Sequence, residues 1–199
     1  MIARPDPNGD PGAVGQRGAN FTQQNADCLI TIGGCIASKR KRTVLIEGDG
    51  GFAMNLQELE TVTRLKLPLK IFVLNNQGYG SIRATQKNYF SGRLFASCET
   101  GGLTLPNWER VARCFSLPFH QLANHVNLRA GLADILNTPG PVLTEVMVSP
   151  DQVTAPRVAS RPTPDGGMES APMEDMSPLL ERQEFLDNMK RNQSVEKSS

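Results

Sequence analysis

The sequence predicts an α/β fold: an open parallel sheet with helices on both faces, followed by an extended C-terminal tail. Three observations predict it. Short apolar segments rich in β-branched residues alternate with stretches of helical periodicity. Residues 69–74 (LKIFVL) form a nearly continuous apolar run, as a strand covered on both faces requires. Strands that alternate with helices are joined by right-handed crossovers, which makes the sheet parallel.

Residues 1–14 are rich in Pro and Gly and are expected to be irregular. Residues 26–33 (ADCLITIG) are expected to form a short buried strand closing on glycine. The run Lys39-Arg40-Lys41-Arg42 reads as a solvated lead-in to the next strand rather than a basic address or phosphate patch. That strand is Thr43–Glu47. Residues 55–67 then carry Leu56, Leu59, Val62 and Leu65 at intervals of three, the apolar stripe of a helix that stops before Pro68.

After the apolar strand 69–74, a helix is expected over 105–115, with Trp108, Val111, Ala112 and Phe115 inward. A short strand over 118–122, a helix over 127–136 and a buried strand over 141–148 (PVLTEVMV) complete the pattern. From Ser149 the composition shifts to Pro, Asp, Met and Ser. This tail is expected to hold one helix near 178–189 and to lack order over 190–199.

Composition narrows the function. The chain has 199 residues, with 21 basic against 20 acidic, so no overall field favours nucleic acid or a membrane surface. No apolar run approaches membrane-spanning length. Cys28, Cys35, Cys98 and Cys114 form no CxxC or framework spacing, and no signal-like segment opens the sequence, which points to a cytoplasmic setting. His120 and His125 have no Cys or acidic partner at ligand spacing, which argues against zinc.

The chemistry is concentrated in residues 43–59 (TVLIEGDGGFAMNLQEL). A strand, a glycine turn and a helix form a phosphate cradle, because the first N–H groups of the helix are free to meet an anion. Gly48, Gly50 and Ala53 satisfy G-x-G-x-x-G/A, so dinucleotide binding is one reading. It requires an acid at the end of the next strand, where this chain has Leu74-Asn75-Asn76. It also leaves Asp49 facing a pyrophosphate with nothing between.

A divalent cation resolves that conflict. Magnesium takes about six oxygens, one or two from protein side chains and the rest from phosphate and water. Neighbouring parallel strands place their carboxyl ends side by side, so the second ligand should follow the next strand. There Asn76 offers an amide oxygen and Gly78 a main-chain carbonyl, alongside the carboxylate of Asp49. The N–H groups of Gly50, Gly51 and Phe52 would meet the phosphate oxygens. Asn75 is expected to point back and tie the two loops together.

GDG, 24 residues (51–74), then NN, flanked by EGDGGFAMNLQELETV and LNNQGYGSIR, resembles the magnesium–diphosphate signature of thiamine diphosphate-dependent enzymes. The chain looks like the C-terminal cofactor-binding domain of acetolactate synthase-like proteins, from about Gly34 to Met189. The resemblance implies the thiamine diphosphate-binding fold, here incomplete, with thiamine diphosphate and Mg2+ as cofactors. It makes Asp49, Asn76 and Gly78 the metal ligands and Gly48, Gly50, Gly51 and Phe52 the diphosphate loop. Tyr79 and Ile82 fall in the stretch that lines the thiazolium side. For Tyr79 a ring packed under the loop and a cofactor contact are equally open.

Family members are longer, three-domain chains, and the cofactor lies between this domain of one subunit and the N-terminal domain of another. That domain supplies the glutamate that protonates the aminopyrimidine, and no segment here resembles it, so no catalytic side chain is assigned. Residues 1–33 read as a remnant of the middle domain, 34–150 as the binding domain and 151–199 as the tail, making the chain an internally deleted or fragmentary relative. The implied chemistry is decarboxylation of a 2-keto acid such as pyruvate and carboligation. A homo-oligomer, or association with full-length relatives, would provide the missing half. A non-catalytic interaction module is the alternative from another class; a dinucleotide-dependent oxidoreductase is more remote.

Overall fold

The computed structural model describes residues 27–152, 155–158, 160–163, 165 and 167–196. The expectations for 1–26 lie outside the described residues. The chain divides into two units, Met1–Asp151 and Gln152–Ser199.

The first unit opens with helix α1 (Asp27–Ala37). Strand β1 (Thr43–Gly48) follows, and α2 (Asp49–Phe52) begins on the next residue. A 3-10 turn, Ala53–Asn55, leads to α3 (Glu58–Arg64) and β2 (Leu69–Asn75). Next come α4 (Gly80–Tyr89), α5 (Trp108–Cys114), β3 (Phe119–Leu122), α6 (Leu128–Asn137) and β4 (Val142–Met147). The four strands form one parallel sheet in the order β1-β2-β4-β3.

Helices cover both faces, because a buried parallel sheet must hide apolar side chains on each. On one face Leu45, Ile71, Val73 and Leu143 pack with Cys28, Ile32 and Cys35 of α1, Leu59 and Val62 of α3, and Trp108 and Val111 of α5. On the other, Phe72 and Val142 pack with Ile135 of α6. Asn107 caps α5, its side chain accepting from the Arg110 N–H at 2.9 Å.

Over 27–33, the described part of the expected strand 26–33, the chain is instead the first part of α1. Cys28, Ile32 and Cys35 recur at helical spacing and are buried, while Leu29, Ile30 and Ile36 are exposed. The helix expected over 55–67 starts earlier and is broken into α2, the 3-10 turn and α3. Helix α4 falls where no helix was expected.

The basic run has a specific role at the amino ends of the strands. Arg40 donates to the Leu65 carbonyl beyond α3 at 3.4 Å, and Arg42 to the Leu136 carbonyl of α6 at 3.2 Å. Buried Lys70 donates to the carbonyls of Thr138 and Gly140, the latter at 2.6 Å. Cations thus meet the orphan carbonyls and negative dipole ends of these helices.

In the second unit, β5 (Ser160–Pro162) and β6 (Met168–Ser170) form an antiparallel pair that was not expected. Helix α7 (Arg182–Glu196) continues through residues 190–196, where order was not expected. Arg182 holds buried Asp175 by two bonds of 2.8 Å. Among the described residues no helix is long and apolar enough to cross a membrane.

Candidate cofactor and metal site

β1 and β2 pair with Gly48 opposite Leu74, so the glycine turn and the Asn75–Gly80 loop emerge side by side. Asp49 is 1% exposed. The Gly50 N–H donates to its Oδ1 at 2.8 Å and the Gly78 N–H to its Oδ2 at 3.0 Å. Burial pushes the Asp49 carboxyl above the ordinary carboxylate range. The N–H groups of Gly78, Gly50 and Gln77 and the Arg83 charge pull it back.

The Asn76 amide closes the arrangement. One of its terminal atoms lies 2.6 Å from the Gly78 carbonyl oxygen and 3.3 Å from Asp49 Oδ1. That atom is assigned as the amide nitrogen, because an oxygen there would face only acceptors. A nitrogen there would donate to both neighbours and suits a metal-free site. An oxygen there suits a site with a cation among the three, one carboxylate, one amide and one carbonyl, which is a hard-cation donor set. The residues therefore fit magnesium. Among the described residues no group of three or more His, Cys, Asp or Glu could hold a metal.

Three glycines make this approach possible. Gly78 has φ +137°, and a Cβ there would overlap the Ser97 carbonyl oxygen. A Cβ on Gly80 would lie 2.6 Å from the Asn76 amide, and one on Gly50 2.5 Å from Tyr79 Cδ1. The Tyr79 ring is thus packed against Gly50, one of its two expected roles, and its N–H donates to Ser97 O at 3.0 Å. Gly48 is extended, with open space where a Cβ would stand.

The cradle itself is mixed. The N–H of Gly51 lies in the first turn of α2, where no intrahelical acceptor exists, whereas the Phe52 N–H has the Gly48 carbonyl four residues back. The Gly50 N–H is turned onto Asp49 instead. The Phe52 side chain is core, its ring centroid 5.6 Å from that of Trp108, so only its main chain faces the turn. Ile82 is half-buried on the first turn of α4.

Asn75 does not tie the two loops together. Its Nδ2 donates to Glu145 of β4 at 2.6 Å and its Oδ1 accepts from Gln77 N–H at 3.0 Å. Gln121 of β3 donates to the other Glu145 oxygen at 2.7 Å. The bond that crosses to the Asp49 loop comes from Gly78.

Sequence reasoning missed Gly80, Arg83 and Ser97. The glycine stood in the quoted motif; Arg83 and Ser97 act on main-chain groups, which carry no signature in residue type. Glu47, which precedes the turn, is 6% exposed, and neither carboxyl oxygen has a hydrogen-bond partner among the described residues. Burial, with the Asp27 charge adding to it, pushes its carboxyl up to about 8.

Residues 29–146 match the family described as thiamine pyrophosphate enzyme, C-terminal TPP binding domain. The acetolactate synthase large subunit of Porphyra purpurea is 34% identical over 128 residues, 64% of this chain and 21% of that protein. Acetolactate synthase isozyme 1 large subunit of Escherichia coli is 30% identical over 127 residues, 64% of this chain and 22% of that protein. The isozyme 2 large subunit of the same organism is 33% identical over 146 residues, 73% of this chain and 25% of that protein. The chain spans about a quarter or less of the curated relatives it matches.

Proposed function

The chain belongs to the thiamine pyrophosphate enzymes, through their C-terminal TPP binding domain, and from that premise we propose that it binds thiamine diphosphate through a magnesium ion. Asp49, Asn76 and Gly78 hold the metal. The convergence of the Asp49 carboxylate, the Asn76 amide and the Gly78 carbonyl carries this reading. Asp49 supplies the one formal charge of the protein's share, and the first-turn N–H of Gly51 receives a phosphate oxygen. Tyr79 backs Gly50 and fixes the height of the turn.

Bound thiamine diphosphate supplies the chemistry by which a 2-keto acid such as pyruvate loses carbon dioxide and passes its acyl unit to an acceptor. Residues 34–150 provide the anchoring half of such a site. The activating glutamate comes from a partner chain, through a homo-oligomer or a full-length relative, so turnover depends on that partner.

Calorimetric titration of thiamine diphosphate with and without magnesium tests the site. Binding should require magnesium, and Asp49→Ala should abolish it while Glu47→Ala retains it. Equal loss in both variants would count against the assignment. Pyruvate turnover by the purified chain alone would refute the need for a partner.

The exposed apolar residues of α1 and β1, Leu29, Ile30, Ile36 and Ile46, favour a second reading as a non-catalytic association module. Size-exclusion chromatography separates the two: a well-behaved monomer that binds the cofactor argues against it.

A further inference from the structure

Arg83 lies on α4, is 5% exposed, and joins two separate parts of the chain. Its Nη2 donates to the Asn76 carbonyl at 3.0 Å and to the Pro150 carbonyl at 2.9 Å, while Nη1 reaches the Gln77 carbonyl at 3.5 Å. Asn76 and Gln77 belong to the loop that carries two of the three converging groups, the Asn76 amide and the Gly78 carbonyl. Pro150 lies beyond β4, and the sheet unit ends at Asp151. One helical turn along α4, Lys87 Nζ pairs with Asp151 Oδ1 at 2.8 Å. The same side of α4 therefore grips the metal loop and the root of the C-terminal segment.

The choice of arginine matters here. A guanidinium is a rigid planar fork with five donors, so it can bridge carbonyls of two segments in a fixed geometry; an ammonium is a point charge that cannot. Carbonyls bonded to a charged donor are held more strongly than those bonded to a neutral one. A shift of Asn76 thus moves the fork, and the fork moves Pro150.

We propose that Arg83 is a positioning residue that ties the metal loop to the root of the C-terminal segment, so that cofactor binding and the order of Pro150 and Asp151 favour each other. The coupling rests on the magnesium–diphosphate reading of the site, and it is reciprocal by linkage.

The test uses the full chain, magnesium and thiamine diphosphate, and two readouts. Calorimetry gives the magnesium affinity in the presence of the diphosphate. An aspartate-specific endoproteinase reports access to the Pro150–Asp151 bond. In the wild type, saturating cofactor should slow that cut by about 5-fold or more, the lower end of ordinary coupling between sites. Arg83→Lys keeps the charge and loses the fork. It should weaken magnesium binding about 10- to 100-fold, as loss of an outer partner of a metal ligand does. At saturating cofactor it should still bind yet leave Asp151 unprotected, a readout that a merely structural role would not move. Wild type that binds the cofactor with an unchanged cut, or Arg83→Lys with wild-type affinity and protection, overturns the coupling alone. Wild type with no magnesium-dependent binding overturns the site reading and the coupling with it. The wild-type measurement stands whether or not the variant folds.

Discussion

Gly78 donates its N–H to Asp49 Oδ2 at 3.0 Å across 29 residues of sequence, while its carbonyl faces the Asn76 amide at 2.6 Å. One residue thus orients both neighbours, with its donor on the carboxylate and its acceptor on the Asn76 amide. The two loops are joined before any ligand arrives, which lowers the ordering cost of binding.

The backbone of Gly78 makes this geometry intolerant of a side chain. Its φ of +137° is open essentially to glycine, and the Ser97 carbonyl oxygen occupies the place of a Cβ. Gly78→Ala should lose at least about 1–3 kcal/mol, the usual cost of a sparsely populated backbone state. Urea unfolding measures it, and wild-type stability in this variant would contradict the geometry.

Asn76 and Asp49 invite a charge test. Asn76→Asp would bring a second carboxylate to about the separation of the present pair, 3.3 Å. Like charges that close repel, so the metal-free protein should be less stable than wild type. A divalent cation removes the repulsion. Magnesium should therefore raise the melting temperature of Asn76→Asp more than that of the wild type. Equal shifts on adding magnesium would show that the two side chains do not share an ion.

Much of this was legible because parallel pairing converts sequence spacing into adjacency. The apolar runs of β2 and β4 announced buried strands, and Gly48 opposite Leu74 then carries Asp49 to Asn76. The register does the rest. Helix α1 was misread because its β-branched residues suggest a strand, whereas the spacing of Cys28, Ile32 and Cys35 decides its fold. Arg83 left no trace because its partners are carbonyls of Asn76, Gln77 and Pro150, groups every residue has. Lys70 is buried in a strand only because the end of α6 comes within reach, a tertiary fact that no local pattern encodes.

Gly50 and Tyr79 should show coupling. A Cβ on Gly50 would lie 2.5 Å from Tyr79 Cδ1, too close for an aromatic ring to stay in place. Gly50→Ala should destabilise by about 1–3 kcal/mol, as overpacking does. Tyr79→Ala removes the obstacle, so the double variant should be more stable than the sum of the two single losses predicts. A double-mutant cycle by chemical denaturation checks this, and strict additivity would place the ring elsewhere.

Glu47 gives a pH dependence whose sign follows from its burial. Its folded carboxyl titrates at about 8, against 4.5 for the unperturbed group, so the folded state keeps a proton that the unfolded state has released in between. Below 4.5 both states are protonated and the group adds no slope. From there to about 8 the folded state binds more protons, so stability falls as pH rises, by up to about 1.4 kcal/mol per unit. Above 8 both states are ionised and the loss is complete. Glu47→Gln cannot ionise and should lack this part of the slope. Buried Asp49 contributes in the same direction, but it is present in both proteins and largely cancels in the difference. Urea unfolding at pH 5 and pH 8, with chelator present, should therefore show a stability gap that moves in favour of Glu47→Gln at the higher pH. A gap independent of pH would mean that Glu47 is ionised in the folded protein, held by a partner or by water.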